Sequence, residues 1–286
     1  MKKIIILSLT FILAGFSLFC FCYPFVSNLI NEHYNESKIN AYNDNIDTIE
    51  QNEINSYFRQ AEDYNRLLAT DFYDKAVESD ESYRQIINSY FDILNIDNGI
   101  MGYIEIPAIK VNLPIYHGES EEILTKGAAH LERTSFPIGG NSTHACISAH
   151  SGFPTQKFFD DIDDLETGDT ITIKILDRTL LYTVYGSEVV EPDDASKLQV
   201  ISGEDILTLV TCYPYGINSH RLLVHARRTP VEVSKEATQD NAAQIAAKPE
   251  RSNNNKAVIF GSVIAVTGTL AVLGIVLLKR KKNVRR

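Results

Sequence analysis

Cysteine is scarce in this chain. Of the four present, Cys20 and Cys22 fall within or at the edge of an N-terminal apolar run, leaving only Cys146 and Cys212 between the two ends. Two residues cannot make a disulfide framework, so the choice is between one bridge and one reactive thiol. Cys/His pairs at metal-ligand spacing are also missing. The acidic run Asp160-Asp161-Ile162-Asp163-Asp164 reads as a solvated, helix-flanking stretch rather than a calcium site. Positive charge is thin in the middle of the chain: eight of the 27 Lys and Arg residues crowd the two ends, so the segment between them carries a net charge of about −18. That balance excludes nucleic acid as a partner.

Two stretches are long and apolar enough to cross a bilayer. Residues 4–22 are nearly all apolar behind Lys2 and Lys3, and the run continues to about residue 26 with no small-x-small cleavage site. It reads as a retained anchor, with a cleaved signal peptide as the alternative. Residues 257–278 contain no charge and run into Lys279, Arg280, Lys281, Lys282, Arg285 and Arg286. Positive flanks favour the cytoplasmic side, so the basic tail at 279–286 lies inside and the middle of the chain outside. A wall-sorting signal would carry an LPxTG pentapeptide ahead of such a span. Residues 229–256 contain none, so the span reads as a permanent anchor.

Between the spans the composition changes twice. Residues 27–98 are rich in Asn, Asp, Glu and Tyr, with Ile39, Tyr42, Ile46 and Ile49, then Tyr57, Tyr64, Leu67 and Leu68, at helical intervals. Two or three helices are expected, interrupted by a loop around ATDFYDKAVESDES. From 99 to 229 the pattern becomes short apolar or alternating runs punctuated by Gly, Pro, Asn and Asp: GYIEIP, VNLPIY, THACISA, DTITIKIL, LLYTVYGSEVV, DILTLVT and RLLVHAR. So many short strands in so little chain predict a closed or nearly closed β-barrel. Residues 230–256 lack apolar patterning and read as a linker to the membrane.

The run DILTLVT ends on Cys212, where a side chain at a strand end meets a loop instead of the core. After the turn-rich YPYGINSH, Arg221 opens the next strand. If the two strands pair around that loop, an always-charged donor lies near the sulfur and can bind an oxyanion. A thiol attacks a carbonyl as its thiolate and needs a basic partner. His150 is the best candidate, since it follows the strand-like THACISA and precedes the abrupt SGFP. His33, His117, His130, His144, His220 and His225 are read as structural, and no acidic third member stands out.

TLVTC followed by PYGINSHRLLV resembles the TLxTC signature of the sortase family with its downstream arginine. HSGFPTQKFFDDI at 150–162 is similar to the family's histidine segment, and the stretches 102–118 and 130–140 resemble its earlier strands and connections. The likeness spans roughly residues 99–228. It implies a mainly β fold, a sortase barrel of about eight strands carrying N-terminal helices and a transmembrane helix at each end. The helical zone, the C-terminal span and the Cys-x-Pro-Tyr-Gly segment look like class C, the pilus-assembling members. That class carries a lid, usually Asp-Pro-aromatic. Asp71-Phe72-Tyr73, within 69–78, sits where it belongs, with Phe replacing the Pro and its backbone restriction.

The resemblance further implies a cysteine transpeptidase in the cell membrane of a Gram-positive bacterium, with its catalytic domain outside. Cys212 is the nucleophile, His150 the acid/base and Arg221 the oxyanion stabiliser, with no cofactor or metal. Its partners would be pilin subunits bearing LPxTG-like signals and an acceptor lysine. Three alternatives stand beside this reading: a housekeeping sortase acting on peptidoglycan, a hydrolytic cysteine protease, and a non-catalytic anchored module with a Cys146–Cys212 disulfide.

Overall fold

The computed structural model describes residues 2–69, 81–96 and 98–229. The expected lid residues Asp71, Phe72 and Tyr73, the expected linker, the second apolar stretch and the basic tail lie outside the described residues.

The apolar N-terminal run and the polar stretch after it form one helix, α1 (Lys2–Ile46), which passes the expected boundary at 26 without a break. The side chains of its first half are apolar on every side and exposed, as suits a helix solvated by lipid. Among the described residues α1 is one helix long and apolar enough to cross a membrane. Further along, Asn35, Ile39 and Tyr42 recur at helical spacing and are buried. The Tyr42 hydroxyl donates to the Met101 carbonyl at 2.8 Å and accepts from the Leu176 amide at 2.9 Å, so one side chain of α1 fastens two separate barrel segments.

α2 (Gln51–Leu68) presents Ile54, Phe58, Ala61, Tyr64 and Leu67 as one buried stripe against the main core. Its buried Asn65 acts as a substitute strand: the amide nitrogen donates to the Phe136 carbonyl at 3.0 Å and the amide oxygen accepts from the Phe136 N–H at 2.7 Å. Asn65→Ala strips both backbone groups of Phe136 of their partner in a dry site. The expected cost is about 2–4 kcal/mol, read as a lower urea midpoint at unchanged slope. A change below about 0.5 kcal/mol would show that α2 is not coupled to the barrel through this amide. A short helix α3 (Glu81–Asn88) then leads into the buried Tyr90, Ile93 and Leu94.

Eight strands close into a barrel: β1 (Ile100–Ile106), β2 (Val111–His117), β3 (Ala128–His130), β4 (Thr143–Ser148), β5 (Thr170–Ile175), β6 (Arg178–Val190), β7 (Asp205–Tyr213) and β8 (His220–Arg228), in the order β1-β2-β3-β4-β7-β8-β6-β5. The fold is thus mainly β, with closure made by the antiparallel pairing of β5 with β1. In β5, Ile171, Ile173 and Ile175 point inward and alternate with half-exposed Thr and Lys. At Gly102 the barrel wall is tight, since a Cβ there would lie 2.4 Å from the Lys174 carbonyl oxygen. β4 and β7 run parallel, in register from Thr143↔Asp205 to Ser148↔Val210. A parallel pair needs a long crossover, here the β5–β6 excursion. It also brings the C-terminal ends of both strands to the same end of the barrel.

Four histidines are buried in or on this barrel as neutral groups. Burial holds His117, His144 and His225 below the ordinary imidazole range, and holds His130 down at about 3. His130 is well suited to neutrality: one ring nitrogen faces the Tyr90 hydroxyl at 2.9 Å and the other the Ser135 carbonyl at 2.9 Å. Below an unfolded pKa of about 6.5 the unfolded chain binds protons that the folded chain refuses, so stability falls as pH falls. For His130 the slope is up to about 1.4 kcal/mol per pH unit until its folded value is reached. Thermal unfolding between pH 7 and 5 is expected to show this decline, and His130→Gln should flatten it whatever its effect at pH 7. Equal slopes for the two proteins would remove His130 from the account.

Candidate active site

Alternation along β4, β7 and β8 sorts their side chains into two sets. Ala145, Ile147, Leu207, Leu209, Leu222, Val224 and Ala226 join the barrel core. On the outer face Val210 and Leu223 pack with Val190, and Leu131 and Leu198 lie against them. Cys212 has the parity of Val210, and Arg221 that of Leu223. Cys212 therefore ends an outward-facing row, half-exposed beyond a small apolar cluster.

Across the β7–β8 ladder Cys212 is paired directly with Arg221. Residues so placed have Cβ atoms about 5 Å apart, and the arginine stem is long enough to lay its guanidinium beside the sulfur. Arg221 Nη1 donates to the His220 carbonyl at 3.0 Å, which restricts the guanidinium's orientation. His220 itself sits at the opposite parity and faces elsewhere, near Ser219 at 2.8 Å and Glu191 at 3.4 Å.

On the other flank of β7, the β4 register continues past its last pair. The Ala149 amide donates to the Val210 carbonyl at 3.2 Å, and the Thr211 hydroxyl donates to the Ala149 carbonyl at 2.7 Å. Extending that register by one more residue brings His150 level with Cys212. β7 thus carries the thiol in the middle, with arginine on one neighbour and histidine at the end of the other.

The loop after His150 holds the ring. Phe153 stacks on it at 5.2 Å between centroids and 11° between planes, with Phe158 at 6.2 Å on another side. Asp160 acts inside this loop rather than in a solvated run, since its carboxylate accepts from the Gly152 N–H at 2.9 Å and the Phe158 N–H at 3.0 Å. Asp161 is nearly buried and pairs with Lys157. His150 Nε2 is buried with no hydrogen-bond partner among the described residues, leaving that nitrogen free to take or give a proton.

The two cysteines differ sharply. Cys146 is fully buried and burial pushes its thiol pKa far up, so it stays protonated and inert. Both are free. Cys146 pairs in register with Thr208, and Cys212 lies four residues further along β7, about 13 Å. A disulfide tolerates Cα separations of only about 7 Å. The bridged, non-catalytic alternative therefore fails on geometry. Among the described residues no cluster of three or more His, Cys, Asp or Glu side chains is placed to hold a metal ion.

Beneath this end of the face runs a polar row that sequence reading left as unconnected structural histidines. His144 Nε2 meets the Thr208 hydroxyl at 2.7 Å, Thr208 meets His225 Nδ1 at 2.8 Å, and His225 Nε2 meets Glu188 at 3.2 Å. His144 Nδ1 faces the Gln199 carbonyl at 2.8 Å, where it must donate. The row ties β4, β7, β8 and β6 together on the face that carries the thiol. The signal for it was parity: Thr208 is two outward positions from Cys212, and His225 two from Arg221.

The Sortase domain profile matches residues 104–229. The chain is similar to sortase C1 from Streptococcus agalactiae, at 40% identity and a TM-score of 0.59 over 68% of this chain and 98% of that one. It is similar to sortase C from Clostridium perfringens SM101, at 39% identity and a TM-score of 0.58 over 68% and 99%. It also resembles sortase A of Bacillus anthracis, 28% identical over 157 residues, which span 54% of this chain and 70% of that protein.

Proposed function

The chain belongs to the sortase family of cysteine transpeptidases, and from that premise we propose that it is a membrane-anchored class C enzyme that polymerises pilin. In this reading it cleaves an LPxTG-like sorting signal between Thr and Gly and joins the acyl group to a lysine amine of the next subunit. The observation that carries the reading is the Cys212↔Arg221 register pair with His150 at the adjoining strand end. Support for class C comes from the sortase C neighbours and from the helical zone fastened to the barrel by Tyr42 and Asn65.

A thiol is nucleophilic as its thiolate and a departing amine needs a proton, and these two tasks fall to Cys212 and His150. The sulfur attacks the Thr carbonyl carbon, and the charge that develops on oxygen is held by the Arg221 guanidinium. His150 gives its proton to the departing Gly nitrogen, leaving a thioester on Cys212. A lysine amine then attacks the thioester, His150 takes the amine proton, and the thiolate departs. One amide is exchanged for another, so no ATP is consumed. Asp71-Phe72-Tyr73 serves as the lid over the thiol. α1 and the 257–278 span hold the enzyme in the membrane with its catalytic domain outside.

Intact-mass analysis after incubation with an LPxTG peptide should find a hydroxylamine-labile acyl adduct on Cys212. Adding a pilin domain with an exposed lysine should raise turnover and convert the adduct to an amide. Absence of any adduct would overturn the mechanism. Release to water alone, with pilin in excess, would overturn the polymerase reading and leave a hydrolase.

A further inference from the structure

α1 does not merely end near the barrel; it is hydrogen-bonded to the histidine loop. The Asn28 side-chain oxygen accepts from the Lys157 amide at 2.8 Å, and Asn31 Nδ2 donates to the Thr155 carbonyl at 2.8 Å. Asn28 and Asn31 lie two and five residues past the end of the apolar run at residue 26. At the helical rise that is about 3 and 8 Å along the axis. The headgroup layer on each side of a bilayer is about 5–8 Å thick. The loop that begins at His150 is therefore fastened to α1 at headgroup depth.

A second loop lies against the first. At Gly152, which has a φ of +79°, an added Cβ would meet the Tyr215 ring at 3.4 Å, so the β7–β8 loop touches the histidine loop there. That loop carries Tyr215, 64% exposed, and Ile217, 70% exposed. They are the most exposed large apolar side chains among the described residues outside α1. Both are costly in water and at home at a lipid boundary, where Tyr is enriched for its apolar body and polar tip.

We propose that the β7–β8 loop is a membrane-contact element whose partner is the outer leaflet of the same bilayer that α1 crosses. Tyr215 and Ile217 enter the headgroup–acyl boundary, and Cys212, three residues before Tyr215, works at the lipid surface. The inference rests on reading α1 as a membrane anchor. It gives the loop a task of its own: a sorting signal borne just ahead of its own membrane span reaches the sulfur without leaving the surface.

The chain contains no tryptophan, which makes a clean depth measurement possible. Ile217→Trp, Ile201→Trp and Phe11→Trp are each prepared in the full chain and reconstituted into phosphatidylcholine vesicles with brominated acyl chains. Ile201 precedes β7 at the opposite end of the barrel and is 50% exposed, and Phe11 lies in the apolar half of α1. Ile217→Trp should be quenched at least about twofold by bromines near the headgroup, Phe11→Trp by bromines deep in the chain, and Ile201→Trp by neither. Quenching of Phe11→Trp without Ile217→Trp overturns the loop's membrane contact and leaves the anchor intact. No quenching of Phe11→Trp overturns the anchor itself. Equal quenching of Ile217→Trp and Ile201→Trp reports non-specific adsorption and also overturns the proposal.

Discussion

Cys212→Ala is expected to abolish acyl transfer, with no adduct on the protein and a fall in turnover on the order of 10⁴-fold or more. The unfolding temperature should move by less than about 2 °C, because the side chain is half-exposed at a strand end and deleting its sulfur opens no cavity. Cys146→Ala should do the reverse. That thiol is fully buried, so its loss costs about 1 kcal/mol in packing and leaves the chemistry intact. The pair of variants separates a nucleophile from a structural thiol in a single comparison. Residual turnover above about 1% in Cys212→Ala, or an adduct recovered on Cys146, would sink the assignment.

The second large effect is expected at Arg221. Arg221→Ala should lower kcat/KM by about 10²–10³, about 3–4 kcal/mol of transition-state stabilisation. Arg221→Lys tests the geometry behind that figure, because it keeps the charge and removes the planar fork. Lysine also has a single nitrogen, so it cannot hold the His220 carbonyl as Arg221 Nη1 does and keep a second donor for an oxyanion. The lysine variant should therefore remain about 10²-fold impaired, with the loss in kcat and KM nearly unchanged. Full activity in Arg221→Lys would reduce the residue to a counter-charge. A loss confined to KM would make it a substrate-binding group instead.

Much of the barrel is legible in the sequence because alternation is a local property. VNLPIY, THACISA, DTITIKIL, DILTLVT and RLLVHAR each overlap a strand, β2, β4, β5, β7 and β8 in turn. β3 is only Ala128–His130, buried at all three positions, so it has no alternation to read. The parallel pairings of β2 with β3 and β4 with β7 are set by contacts between distant segments, which no local pattern encodes. α1 escaped for another reason: near residue 26 its composition changes from apolar to polar while the helix runs on unbroken to Ile46.

The candidate site divides in the same way. Cys212 and Arg221 lie on strands joined by one loop, so their meeting follows from pairing those two strands around it. His150 reaches them only through the long β4–β7 crossover: the local pattern of a strand end before SGFP singled it out as a candidate, and the parallel register that brings it level with Cys212 is what no local pattern encodes. Asp160 was misjudged because an acidic run looks solvated in sequence. Its hydrogen bonds to Gly152 and Phe158 become visible only when the chain turns back on itself.

The closed order of the strands has a consequence for recognition. Every strand among the described residues already has a neighbour on each side, so an extended peptide arriving at this barrel finds no whole strand edge to join, only short stretches such as those beside the three-residue β3. Many peptide-binding domains obtain affinity by adding the ligand as one more strand, which is tolerant of sequence because every peptide has the same backbone. This barrel offers little edge for that. Its discrimination must come from side chains on the outer face of β4, β7 and β8 and from the loops at their ends, so small changes there should retune which peptides are accepted without disturbing the fold.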